Sequence, residues 1–117
     1  MNGDDDLLID LIVEYWRLLR AAEASLAWVP DERRARCVPP IRYAEGRLAA
    51  LLERSGVVLA VFDGRVYDPG LPATPVNGDE IAGHAGTRVS RTLEPTVMRD
   101  GRILRFGKII LEAEPDS

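Results

Sequence analysis

The chain has 117 residues and a net charge of −4, from 15 Lys+Arg against 19 Asp+Glu, with one cysteine and one histidine. That length suits one domain, or one small domain with an appendage, and a chain of this size buries roughly 65% of its unfolded surface without needing a staple. The acidic balance argues against the broad cationic footprint of a nucleic-acid binder, and a lone Cys37 without a Cys/His cluster offers neither an internal disulfide nor a zinc site.

The N-terminal stretch "MNGDDDLLIDLIV" is acidic where a signal peptide is basic. Asp10 and Glu14 interrupt its apolar run, so it reads as neither a signal nor a membrane span, and a cytoplasmic location is expected. Residues 4–28 read as a helix. The Asp4-Asp5-Asp6 triplet suits its N-terminus, where carboxylates cap free N–H groups and meet the positive end of the dipole. A metal site from three adjacent acids is disfavoured, because neighbouring helical residues point in different directions.

Two apolar rows run along this helix. Leu8, Leu11, Tyr15, Leu18, Ala22 and Leu26 form one, and Ile9, Ile12, Trp16 and Leu19 the other. Together they make a face wider than one short partner helix covers. A second helix is expected over 39–55, entered through Pro39-Pro40, striped by Ile41, Ala44, Leu48 and Leu51/Leu52, and closed by a left-handed cap at Gly56. The polar link over 29–39, with the basic cluster "DERRAR" (31–36), reads as a solvated connector that folds the helices into an antiparallel hairpin. Two helices leave a thin core, so a four-helix bundle across a homodimer is expected, its interface drawn from Leu8, Leu11, Ile12, Tyr15, Leu18 and Leu19.

From Val57 the pattern becomes that of strands. "VVLAVF" is followed by Asp63-Gly64, a hairpin turn signal, and then by "RVY". Residues 69–86, rich in proline and glycine, read as loop with room for one brief strand. "TRVSRTL" (87–93), "TVM" (96–98), a turn at Arg99-Asp100-Gly101, "RILRF" (102–106) and "KIILEAE" (108–114) complete a compact sheet of five or six short strands. The fold class is therefore α+β, with a helical dimerisation hairpin over 1–56 and a small all-β domain over 57–117.

Little here points to catalysis. His84 lies between glycines in "AGHAG", and Cys37 lies among arginines with no histidine near it in sequence; both read as bland residues. "GHAG" matches neither a phosphate loop nor a dinucleotide fingerprint. No enzyme activity and no cofactor are expected, and nothing points to a small-molecule regulatory pocket.

The ordered series "LLERSGV", "YDPGLPATPV", "GTRV", "DGRILR" and an apolar last strand resembles the GrpE family of nucleotide exchange factors across residues 7–112. The resemblance implies an adaptor for protein folding and the stress response: a helix-joined dimer whose β-domain binds the nucleotide-binding domain of a DnaK-type chaperone and opens it, so that ADP leaves. Matched to the family motif, Tyr67, Pro69, Leu93, Arg102 and Leu111 fall at chaperone-contacting positions. Each also has a plain structural reading, as sheet-edge cover, turn stiffener or core. The chain departs from the pattern at Pro72, where the family has His, at "EPTVM" (94–98), and at "LRFG" (104–107). It reads as a short member without the family's long N-terminal arm. The competing expectation is a dimeric scaffold of the same shape without exchange activity.

Overall fold

A computed structural model of the chain describes residues 3–81 and 86–114, apart from the Asp4 side chain. His84 and the capping role of Asp4 lie outside the described residues. The chain divides into two compact units, Met1–Gly56 and Val57–Ser117. The first is a helical hairpin and the second is built from six short strands, so the α+β class expected from the sequence is what the chain adopts.

In the first unit, helix α1 (Gly3–Ser25) runs into a 3-10 turn at Leu26–Trp28, and α2 (Asp31–Ser55) returns against it. Tyr15 Oη donates to the Ala44 carbonyl at 2.8 Å and fixes their register. Among the described residues of this unit, Ile9, Val13 and Leu48 are the buried apolar ones, and Val13, at 1% exposure, is the most deeply buried of them. Val13 belongs to neither row read from the sequence. It follows Ile9 by four residues, and this pair is the inward stripe.

The connector reading of 31–36 is corrected. Those residues form the first turns of α2, because Pro30 caps them and its carbonyl accepts from Arg33 N at 2.9 Å and Arg34 N at 3.0 Å. Asp31 and Glu32 face the positive end of the helix dipole. Arg34 holds both Asp31 (3.0 Å) and the Val29 carbonyl (3.1 Å), which ties the turn before the helix to its start. Pro39 and Pro40 consequently sit inside α2 rather than before it. They deprive the Ala35 and Arg36 carbonyls of their helical donors. Gly56 closes the helix in the left-handed conformation (φ 71°) that the sequence suggests, its N–H reaching the Glu53 carbonyl at 3.2 Å.

The second unit contains strands β1 (Val57–Ala60), β2 (Ala73–Pro75), β3 (Thr87–Glu94), β4 (Thr96–Arg99), β5 (Arg102–Arg105) and β6 (Gly107–Ala113), with a single turn of helix, α3 (Gly78–Ile81), after β2. They make two three-stranded sheets, ordered β1-β4-β5 and β2-β6-β3, where the sequence suggests one. β3 and β4 are separated by Pro95 alone, and β5 and β6 by Phe106 alone. One long antiparallel hairpin thus pairs β4 with β5, folds over, and pairs β3 with β6. Its tip is a two-residue turn in which Asp100 (φ 52°) and Gly101 (φ 76°) both take positive φ.

The fold-over is a close crossing. A Cβ on Gly107 would run into the Glu94 carbonyl oxygen and come within 2.7 Å of Pro95 C and Thr96 N. The Thr96 hydroxyl, fully buried, accepts from Gly107 N at 2.9 Å and donates to the Pro72 carbonyl at 2.5 Å.

The turn at Asp63-Gly64 forms, with Arg65 N on the Phe62 carbonyl at 3.0 Å, but it does not make the hairpin expected between "VVLAVF" and "RVY". β1 pairs with β4 instead, and Val66 bridges Arg88 of β3. The turn is pulled to β3 by four bonds: Phe62 N to Thr92 Oγ1 and Thr92 N to Asp63 Oδ1, both 3.0 Å, and Gly64 N to Val89 O and Val89 N to Arg65 O, both 2.8 Å. Phe62, Leu71, Ala73, Val89, Ile109 and Leu111 form the core of this unit.

Two substitutions test these features. Replacing Pro39 and Pro40 with Ala restores two helical donors, and each proline costs up to about 3 kcal/mol inside a helix. The double variant is expected to gain helical ellipticity and melting temperature, whereas prolines in a loop would give no gain. Gly107→Ala is expected to lower the melting temperature by roughly 10 °C, since the added methyl meets backbone on several sides. Gly46→Ala, in open space on α2, serves as the control.

Candidate functional site

Two surfaces come into question, one on each unit. In the helical unit the hairpin seam leaves apolar residues uncovered. Of the six residues expected at a dimer interface, Leu8, Leu11 and Leu18 are exposed, Leu11 by 60% and Leu18 by 71%, while Ile12, Tyr15 and Leu19 are half-buried. Leu7 adds to the exposed set. Leu11, Glu14, Tyr15, Leu18, Leu19 and Ala44 line an open apolar groove of about 360 Å³. The spacing of these leucines made them legible in the sequence. Their outward direction follows from Ile9 and Val13 taking the inward one.

In the β unit the five motif-matched residues take different places. "YDPGL" is a tight turn: Asp68 Oδ1 accepts from Gly70 N at 2.7 Å, and the Asp68 carbonyl accepts from Leu71 N at 3.0 Å. Pro69 sits exposed at its crest, and Leu71 drops into the core. The proline-rich stretch is therefore a stiff loop that plants one leucine and leads into β2. Tyr67 is half-buried, packs on the core cluster, and donates its N–H to the Thr87 carbonyl at 2.9 Å. Leu111, at 5% exposure, is a member of that cluster. Its side chain is core, and it offers no anchor to a partner in this state.

Leu93 is half-buried where β3 slips register, between the Thr92↔Ile109 and Glu94↔Lys108 pairs. Arg102 is exposed at the start of β5, in the other sheet, next to the hairpin turn. The structure thus joins Tyr67 and Leu111 in one core cluster, puts Pro69 on the adjoining turn, and sets Arg102 apart at the hairpin tip.

Other surface residues of this unit escaped the sequence reading. Val58, Met98 and Ile103 form a cross-strand row on sheet β1-β4-β5, Val58 and Ile103 exposed and Met98 half-buried. On the opposite face of the same strands, Arg99 lies across from Arg102. Counting outward from the Asp100-Gly101 turn gives that pairing directly, since a two-residue turn sets its flanking residues opposite each other.

Among the described residues, no group of three or more His, Cys, Asp and Glu is placed to hold a metal ion, and no helix is long and apolar enough to cross a membrane. One electrostatic feature ties the two helices. Glu45 Oε2 takes Arg42 Nη1 at 3.4 Å, while Glu45 Oε1 is shut off from solvent with no donor. Glu23 of α1 brings a second carboxyl to Glu45. The hydrogen bond between the two carboxyls, with some desolvation and mutual repulsion, raises the Glu23 pKa against the opposing charges of Arg42 and Arg20.

A folded pKa above the unfolded value means that the folded state holds the proton more tightly. The contribution is complete below the ordinary carboxylate pKa and is lost as pH rises through the raised one. Glu23→Gln supplies an amide donor to Glu45 at every pH. The variant should melt higher than the parent at neutral pH, and the difference should shrink as the parent is acidified into the carboxylate range. A difference that stays constant with pH would rule out the shared proton. Neither a family model, a curated protein nor a solved structure matches this chain.

Proposed function

We propose that this chain is a GrpE-like co-chaperone of the cytoplasm, which acts by binding and has no enzyme chemistry of its own. In this reading two copies join through α1, and the β unit binds the nucleotide-binding domain of a DnaK-type chaperone and promotes ADP release. The factor favours the open chaperone by binding it better than the closed one, and that differential affinity sets how far the population shifts.

The observation that carries the reading is the unfinished helical hairpin. α1 buries Ile9 and Val13 and still exposes Leu7, Leu8, Leu11 and Leu18. A second hairpin laid against that stripe makes a four-helix bundle. The β unit supports the other half of the proposal, because its one bent hairpin and the tight turn at Pro69 give a stiff edge. A stiff edge loses little conformational entropy on binding.

A second reading is favoured by a specific observation: a dimeric scaffold of the same shape that binds a partner without exchanging its nucleotide. Leu111 is core and Tyr67 is half-buried, so fewer motif residues are on the surface than the family pattern implies.

Equilibrium sedimentation at micromolar concentration should return a dimer, and the Leu11→Asp/Leu18→Asp double variant a folded monomer. Stoichiometric dimer should speed release of a fluorescent ADP analogue from the source organism's DnaK-type chaperones by about tenfold or more. Binding without acceleration would select the scaffold, and a monomeric parent would sink the dimer.

A further inference from the structure

The hairpin register sets Arg99 directly opposite Arg102, with Val57 on the far side of Arg99. Directly opposed residues share a face, so both guanidinium stems leave the sheet on the same side, and Arg105, opposite Val97, lies on that side too. β1, β4 and β5 contain no aspartate or glutamate. The one acid of the β4–β5 arm is Asp100 in its turn, and among the described residues no ion pair involves Asp100, Arg99 or Arg102.

Like charges directly opposite each other destabilise an antiparallel pair. Elsewhere in this unit the cross-strand charges are matched, as in Lys108–Glu94 at 3.1 Å and Arg88–Glu114 at 3.9 Å. Folding alone gives no reason for the exception. A second observation points the same way: Arg99 Nε is shut off from solvent and has no hydrogen-bond partner, which is unusual for a buried donor. A guanidinium already partly stripped of water, with a second one across from it and no ion-pair partner among the described residues, is built to receive a carboxylate. Its remaining N–H groups make short, charge-assisted bonds with little further desolvation.

We propose that Arg99 and Arg102 form a carboxylate clamp that docks an acidic segment of a partner protein. A protein fits better than a nucleic acid, because the chain carries a net charge of −4 and a short arginine cluster matches single carboxylates rather than a run of phosphates. β5 is an edge strand. A segment lying along it meets Arg102 on one face and exposed Ile103 on the other, so alternating acidic and aliphatic residues suit it. The clamp does not depend on the partner being a DnaK-type chaperone.

The test titrates the full chain with the blocked peptide Ac-Ser-Glu-Val-Asp-Val-Ser-NH2 and follows the arginine Nε–Hε and Ile103 methyl signals by NMR. The acidic peptide should shift Arg99, Arg102 and Ile103 saturably. The counterpart with Gln and Asn in place of Glu and Asp should bind at least about tenfold more weakly, as expected when charge-assisted bonds are lost. Arg102→Glu should abolish the response and raise the melting temperature by roughly 1–5 °C, because a cross-strand ion pair replaces a repulsion. That gain shows that lost binding is not lost folding. An equal response to the neutral peptide, a response that survives Arg102→Glu, or a lower melting temperature in that variant would overturn the clamp. So would inorganic phosphate giving the same shifts at the same concentration, which would make the site a general anion sink.

Discussion

The β unit depends on one crossing in which there is no room for a side chain. Gly107 passes over the backbone of residues 94–96 so closely that any Cβ would strike it. The contact also satisfies buried polar groups, since the Thr96 hydroxyl links the Gly107 N–H to the Pro72 carbonyl. Loss of that hydroxyl would leave a buried donor and a buried acceptor unmatched, each at about 1–3 kcal/mol. From this point the hairpin can lie in two sheets at once, β4–β5 in one and β3–β6 in the other. The Leu71 turn and β2 are drawn in by the same hydrogen bond, because Pro72 lies between them. Asn77 then caps the arrangement, its side-chain amide exchanging two hydrogen bonds (2.8 and 2.9 Å) with the backbone of Leu111 as a further strand would.

Most elements were legible in the sequence where the local chemistry permits a single answer. Asp100-Gly101 demands a two-residue turn because both positions need positive φ, and Gly56 ends α2 for the same reason. The strands from Thr87 to Ala113 follow from β-branched runs between such markers. What stayed hidden was set by distant partners. A glycine amid strand residues signals a bulge, a kink or a close approach equally well, so Gly107 did not announce that the sheet divides there. Asp63-Gly64 reverses the chain as its sequence says, but Thr92 and Val89 decide which strand the reversed chain joins. At Pro39-Pro40 local propensity points to a helix start. The bonds at residues 29–34 and the packing of α1 on α2 outweigh it.

The candidate surfaces were legible to the extent that composition and periodicity mark exposure. The leucines of α1 follow from helical spacing, yet neither of the two rows that spacing gives is the inward stripe, which Ile9 and Val13 form. The strand residues were harder, because a motif names a position and not its burial. Leu111 and Ile109 alternate with Lys108, Ile110 and Glu112 along β6, and only the covering of one face by Phe62, Leu71 and Val89 makes Leu111 core. A side chain held by that cluster cannot reach a partner without opening the unit. Burial there counts against contact.

Charge is the better guide to what remains exposed, and the two like-charge contacts differ in how they can be relieved. Glu23 and Glu45 meet between the helices, and uptake of a proton relieves their repulsion as pH falls, because the shared proton raises the Glu23 pKa. Arg99 and Arg102 face each other across the hairpin, and neither has an ion-pair partner among the described residues. An anion from outside, or a substitution, would answer their repulsion. A chain that had merely to fold could have placed an acid at either position, as it did opposite Lys108. The retained pair is therefore best understood as stability given up locally for an interaction the isolated chain does not make. It lies at the tip of the hairpin, where the edge strand β5 begins and an incoming segment has access.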